Sequence, residues 1–142
     1  MIRALVIALA MIGSATLVFA DTDAEVNARK NALDVAGAFT NDGFKIRDGH
    51  WCGSVKANDR ALIAVNLFAG NDYWFSAGAA DPAKKIAVYI YDEAGKLLVT
   101  QHYDDGNKAA AGFTAPESGQ YFVSVDLLEG EASSFCLIYC YK

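Results

Sequence analysis

The sequence predicts an all-β protein: an antiparallel β-sandwich or jelly roll of about eight strands, with one N-terminal helix after a signal peptide. Three observations carry this prediction. From Phe44 onward apolar and polar residues alternate with period two, and Gly, Asn, Asp and Pro punctuate the alternating runs at close intervals. The stretch with helical spacing, residues 22–39, lies ahead of them. Period two puts successive side chains on opposite faces of a sheet, and short runs between turns suit a sandwich.

The elements follow in order. Met1-Ile2-Arg3 opens an apolar stretch that runs from Ala4 to Ile12, breaks at Gly13-Ser14 and ends Val18-Phe19-Ala20 before Asp21-Thr22-Asp23. That three-part pattern is a cleaved export signal over residues 1–20. A retained anchor needs about 20 unbroken apolar residues, and the break and the small-residue end favour cleavage. No cysteine stands near Ala20 to take a lipid. The expected mature chain is residues 21–142, exported to the periplasm or the medium, with no transmembrane segment. It divides into a helix and turn over 21–43 and a sandwich over 44–142.

Thr22-Asp23-Ala24-Glu25 is a capping box, with Asp21, Asp23 and Glu25 at the positive end of the helix dipole. Val26, Leu33 and Ala36 recur at near-helical spacing with Ala32 and Phe39 beside them, and Asn41-Asp42-Gly43 ends the element. The helix is expected to dock on the sandwich. Strands are expected at Leu62-Ile63-Ala64-Val65-Asn66-Leu67-Phe68, Tyr73-Trp74-Phe75-Ser76-Ala77 and Ile86-Ala87-Val88-Tyr89-Ile90-Tyr91. Others are expected from Lys96 through His102, at Ala111-Gly112-Phe113-Thr114, from Tyr121 to Leu127 and from Phe135 to Tyr141, with weaker ones near Lys45 and Trp51. Ile63, Val65 and Leu67 should share a buried face, as should Tyr121, Val123, Val125 and Leu127, leaving Ser124 and Asp126 on a wet one. The run from Ile86 to Tyr91 is apolar on both faces, which suits a central strand covered on both sides, with the helix as the natural cover.

Composition excludes some partners. Cleavage removes Arg3 and leaves eleven basic against seventeen acidic side chains, a net charge of −6. An acidic domain without a basic patch repels nucleic acid and anionic membranes. Of the three cysteines, Cys136 and Cys140 lie four apart in one strand, about 13 Å between Cα atoms. A disulfide needs Cα atoms within about 7 Å. Cys52 is therefore the common partner, bridging to Cys136 or to Cys140, and export favours such a bridge.

Three strings occur in order: Val65-Asn66-Leu67-Phe68-Ala69-Gly70-Asn71-Asp72-Tyr73-Trp74-Phe75, Val88-Tyr89-Ile90-Tyr91-Asp92-Glu93-Ala94-Gly95-Lys96-Leu97 and Phe113-Thr114-Ala115-Pro116-Glu117-Ser118-Gly119-Gln120-Tyr121-Phe122-Val123. Together they resemble the bacterial pre-peptidase C-terminal (PPC) domain, a β-sandwich found appended to secreted proteases and other exported proteins. The resemblance spans roughly residues 56–141. It implies the fold and an accessory, targeting or binding role. The family's usual catalytic neighbour has no counterpart here, so its activity does not carry over.

Catalytic motifs are sparse. His50 and His102 lie near neither a Gly-x-Ser-x-Gly elbow nor a His-Glu-x-x-His string. In Gly49-His50-Trp51-Cys52-Gly53 a thiol sits two residues from a histidine, but the exported setting favours a disulfide. The carboxylates fall nearly all in turns, and no pair is placed across a cleft for glycoside hydrolysis. Asp104, Asp105 and Asn107 form the best candidate cation loop, calcium being the ion such oxygen ligands suit, although the loop lacks the length of an EF-hand. No other cofactor is indicated. Trp74 and Trp51 are the candidate ligand platforms, because a flat indole can stack on a sugar or peptide group. The expected function is a non-catalytic exported accessory or binding domain whose ligand is a protein or an envelope polymer. The alternatives are a structural component of a cell-envelope complex and, less favoured, a hydrolase.

Overall fold

The computed structural model describes residues 22–142, so the expected signal peptide lies outside the described residues. Helix α1 (Asp23–Thr40) is followed by nine strands: β1 (Lys45–Ile46), β2 (Trp51–Val55), β3 (Arg60–Leu67), β4 (Asp72–Ala79), β5 (Ala83–Tyr91), β6 (Gln101–Asp105), β7 (Lys108–Thr114), β8 (Gly119–Gly130) and β9 (Ser133–Tyr141). They form two antiparallel sheets. A six-stranded sheet runs β1-β9-β4-β7-β6, with β2 also paired to β9, and a three-stranded sheet runs β3-β8-β5. The all-β sandwich with an N-terminal helix is thus what the chain builds. Among the described residues no helix is long and apolar enough to cross a membrane.

The core between the sheets follows the alternation. Val65 and Leu67 of β3 and Tyr121, Val123, Val125 and Leu127 of β8 are buried against Phe75, Ile86, Val88, Ile90 and Leu137. Each such Val, Leu or Phe contributes about 1.5–3 kcal/mol by leaving water. Tyrosines at the margin keep their hydroxyls satisfied, Tyr73 accepting from Phe68 N–H at 2.9 Å and Tyr121 donating to Glu117 O at 2.7 Å.

Helix α1 begins as the capping box predicts, with Thr22 Oγ1 accepting from Glu25 N–H at 3.2 Å. Its buried stripe differs from the expected one. Ala28, Ala32, Val35 and Ala36 face inward, whereas Val26 and Leu33 are each 44% exposed. The cause lies on the sheet. The helix packs on the outer face of β4, β9 and β7, where most outward residues, Trp74 and Ile138 apart, are small. At Gly78 a Cβ would stand 2.3 Å from Ala32 N and 2.5 Å from Ala28 O, so the helix backbone rests directly on the strand. Only alanines fit that approach. Asn31 Nδ2 donates to Ala79 O at 2.9 Å, and Lys108 pairs with Asp34 at 3.5 Å, fixing the helix along the sheet.

Three further expectations are corrected. β5 is an edge strand of the smaller sheet rather than a central one under the helix. Its outward Tyr89 meets His102 edge-on at 5.8 Å. The segment after Lys96 is not one returning strand: Leu97 makes a single bridge to Tyr91, and β6 starts only at Gln101. Ser124 is fully buried, not wet, because Leu62 and Tyr89 stand directly opposite it on the two flanking strands.

Candidate functional site

Alternation puts Trp74 on the helix side of β4, opposite Gly112 on β7. A Cβ at Gly112 would fall 2.6 Å from the two atoms at the indole ring junction, so one face of the ring lies flat on the glycine. Phe39 stacks on the other face, with centroids 4.2 Å apart and planes 11° from parallel. The indole is sandwiched, and only its edge reaches the cleft beside it. That cleft, about 520 Å³, lies where β7 runs on past the start of β6, between Thr100-Gln101 and Phe113-Thr114, with Phe44 and Asp72 in its wall. Thr114 Oγ1 donates to Asp72 Oδ1 within it. Neither histidine lines it, and the Asp72 carboxylate is the group beside the Thr114 hydroxyl.

Trp51 lies on the other face of the same sheet, at the far edge. It stacks on Tyr139 at 5.9 Å, and the Arg47 guanidinium sits 5.3 Å from the centroids of both rings. Burial raises the Tyr139 pKa above its usual value, with Arg47 opposing and Tyr73 and Tyr141 adding to the rise. The structure therefore does not bring Trp51 and Trp74 together.

The candidate cation residues are also separated. Asp104 and Asp105 belong to β6, and only Gly106 and Asn107 form the turn, so the expected four-residue loop is a two-residue hairpin turn. Neighbours in a strand point to opposite faces, which keeps the two carboxylates from converging. Tyr103 donates to Asp105 at 3.4 Å. Among the described residues no three His, Cys, Asp or Glu side chains are grouped to hold a metal. Cys52 bridges Cys136, its direct cross-strand partner, and Cys140 remains a buried free thiol. Desolvation pushes the Cys140 pKa up to about 11, which makes it inert as a nucleophile.

The feature that sequence reasoning missed is the outer face of the three-stranded sheet, which no helix among the described residues covers. Leu62, at 57% exposure, Phe122, Tyr89 and Tyr91 stand on it with Arg60 and Asp126. Arg60 donates to Tyr91 Oη at 3.0 Å, lies 5.9 Å from that ring's centroid and pairs with Asp126 at 3.7 Å. Beneath these groups Ser124 Oγ and Asp126 Oδ1 are buried without a hydrogen-bond partner. The signal was present in the sequence: Phe122 shares the outward parity of Ser124 and Asp126, and Leu62 that of Arg60. Aromatics, Leu and Arg around buried polar atoms can bind a complementary surface.

No family model matches the chain, and no curated protein matches it by sequence, so the PPC likeness rests on the three strings quoted above. Among solved structures the fold is similar to that of Aeromonas hydrophila PliG, a periplasmic lysozyme inhibitor of g-type lysozyme. The two share 15% identity and a TM-score of 0.50, over 66% of this chain and 85% of that one. At that identity the likeness is one of fold: this sandwich is also the framework of a periplasmic protein that binds a protein.

Proposed function

We propose that the chain is a non-catalytic exported protein that binds another protein through the uncovered face of its three-stranded sheet. The observation that carries the reading is the cluster of exposed Leu62 and Arg60 with half-buried Tyr89, Tyr91 and Phe122, set over two unpartnered buried oxygens. Tyr, Phe and Arg are residue types that concentrate binding energy at interface centres. A continuous apolar patch on an otherwise charged surface marks a contact site. The mature net charge of −6 favours a basic partner and would speed encounter with one. The fold shared with a lysozyme inhibitor makes a lysozyme the first ligand to try, and a PPC-type accessory role is compatible with it. The disulfide suits export.

Two measurements test this. Titration of the mature protein with a g-type lysozyme, and inhibition of its lysis of peptidoglycan, examines the ligand class. Independently, a photo-cross-linking residue at position 89 or 122 in the native host should give adducts with another protein, identified by mass spectrometry. The same residue at the fully exposed Val99 should give none. Retention on purified peptidoglycan with no adduct from either position would overturn the reading in favour of an envelope-polymer ligand held elsewhere, the Trp74 cleft first.

A further inference from the structure

The free edges of the two sheets are not alike. On one side the larger sheet ends in β1, two residues long, and β2, five residues held to β9 by the Cys52–Cys136 bridge, and on the other in β6, five exposed residues ending in Asp104-Asp105. β5 is broken by register shifts on either side of Lys85, and its outward groups are in use near both ends. Ile86 N–H donates to Gly106 O at 3.0 Å, and Ile90 O accepts from Leu98 N–H at 2.9 Å. β3 carries fewer of these protections, its Arg60 N–H alone being bonded, to Asp59 Oδ1. Its eight residues pair with β8 in unbroken register and include no Lys, no Pro and no bulge. Those are the devices by which edge strands avoid recruiting another strand.

The direction of the β3 backbone groups is set at its start. Leu127 N–H donates to Asp59 O at 3.1 Å, so antiparallel alternation turns the odd residues toward β8 and Arg60, Leu62, Ala64 and Asn66 toward the free edge. Arg60 agrees, since its N–H goes to its neighbour's carboxylate, Asp59 Oδ1, at 2.8 Å.

We propose that this edge pairs with β3 of a second copy of the chain, antiparallel, about a two-fold axis at Ile63. Hydrogen-bonded pairing requires outward-turned residues on both strands and side chains on matching faces, which restricts the register to even offsets. With the axis at Ile63, Leu62 opposes Ala64 of the copy on the outer face, and Ala61 opposes Val65 on the inner. Arg60, the single charge of β3, opposes Asn66, so no like charges meet. Moving the axis to Ala64 sets Leu62 against Asn66 and Arg60 against Phe68, which is poorer. A second copy fits better than a foreign strand because the edge is complementary to itself in sequence and sets no like charges opposite each other across the pair. The half-exposed Ala61 and Ile63 would also be completed as core. The two small sheets would join into one of six strands. Seven paired residues form a small interface, so the dimer belongs to the weak, concentration-dependent class. The inference does not depend on the proposed function.

Sedimentation equilibrium of the mature protein should show mass rising from one chain toward two between about 1 μM and 1 mM, the range of a weak specific complex. Ala64→Pro removes an edge N–H at a position where proline is tolerated. It should keep the native circular dichroism and stay at the mass of one chain. Mild oxidation of Ile63→Cys should give a covalent dimer, because residues facing across a non-hydrogen-bonded pair lie about 4.5 Å apart. Ala61→Cys should give none, its copy lying about 13 Å away. A single-chain mass up to 1 mM, persistence of the dimer in Ala64→Pro, or cross-linking at 61 rather than 63 would each overturn the proposal. A foreign β-strand peptide bound to a monomeric protein would do so as well.

Discussion

The contact between α1 and the six-stranded sheet can be probed by one chemical change made at two glycines. In Gly78→Ala the added methyl would stand 2.3 Å from Ala32 N, 2.5 Å from Ala28 O and 2.6 Å from Asn31 Cβ. These are mostly helix backbone atoms, which no rotamer change can move. Ordinary contact needs roughly another 1 Å, so the helix must lift by about that much along its middle turns. Ala28, Ala32 and Ala36, all fully buried, would lose close packing, as would the bond from Asn31 Nδ2 to Ala79 O. Overpacking of this kind costs about 1–3 kcal/mol, and a loosened neutral hydrogen bond adds about 1 kcal/mol. Gly37→Ala is the control. Its Cβ would meet nothing within 4 Å, and alanine in a helix interior is better than glycine by roughly 0.5–1 kcal/mol. Urea unfolding of the two variants should therefore shift in opposite directions, with unchanged slope. A neutral or stabilised Gly78→Ala, or a Gly37→Ala that loses more than about 1 kcal/mol, would refute the argument that helix backbone rests on the strand.

Other expected outcomes concern the cysteines and the buried indole. Cys136→Ala should leave two free thiols on denaturation, because Cys52 cannot reach Cys140 within the native register; detecting none would refute this. Loss of the bridge, which spans a sequence separation of 84, should cost up to about 4.5 kcal/mol in the chain-entropy model, measured by unfolding with and without reductant. Cys140 should resist iodoacetamide at neutral pH until the protein unfolds. Its raised pKa, about 11, gives stability that is intact below the unfolded thiol's range and is lost as pH climbs through 11. Cys140→Ala should flatten that alkaline decline. Gly112→Ala should displace the Trp74 ring from its seat, red-shifting its fluorescence in a Trp51→Phe background and costing about 1–3 kcal/mol. An unshifted spectrum would mean that the indole does not lie on Gly112.

Much of the sandwich was legible because period-two alternation is a local signal. Tyr121, Val123, Val125 and Leu127 could be assigned to the core from their own strand alone. The elimination of a Cys136–Cys140 bridge was equally local, whereas the choice of Cys136 over Cys140 was not. It depends on β1 and β2 meeting β9 in succession, with Ile46 opposite Cys140 and Cys52 opposite Cys136, a register set by the loop between them. The helix face was misread for a related reason. Val26 and Leu33 are the more apolar residues, but the sheet selects by size, and its selection resides in Ser76, Gly78 and Ala110, far along the chain. Trp74 read as a platform in isolation, and only Gly112 and Phe39, brought in from β7 and α1, occupy its two faces.

Size matching also explains why one sheet is covered and the other is bare. Beside Trp74, which Phe39 stacks on, and Ile138, the outward positions of β4, β7 and β9 hold Ser76, Gly78, Ala110, Gly112, Cys136 and Cys140, low enough at Gly78 for an alanine-faced helix to approach on its backbone. Against the other sheet the same helix would meet Leu62, Tyr89, Tyr91 and Phe122, which would hold it off and leave gaps beside its alanines. Gly78 would then lose the helix backbone that now covers it. The helix therefore has one good seat, and using it leaves the large side chains without an intramolecular cover. Replacing Phe122 or Leu62 by a polar residue would cost the core little, since both face away from it. Beside Arg60 and Tyr91 they are the side chains that the proposed protein-binding face would use.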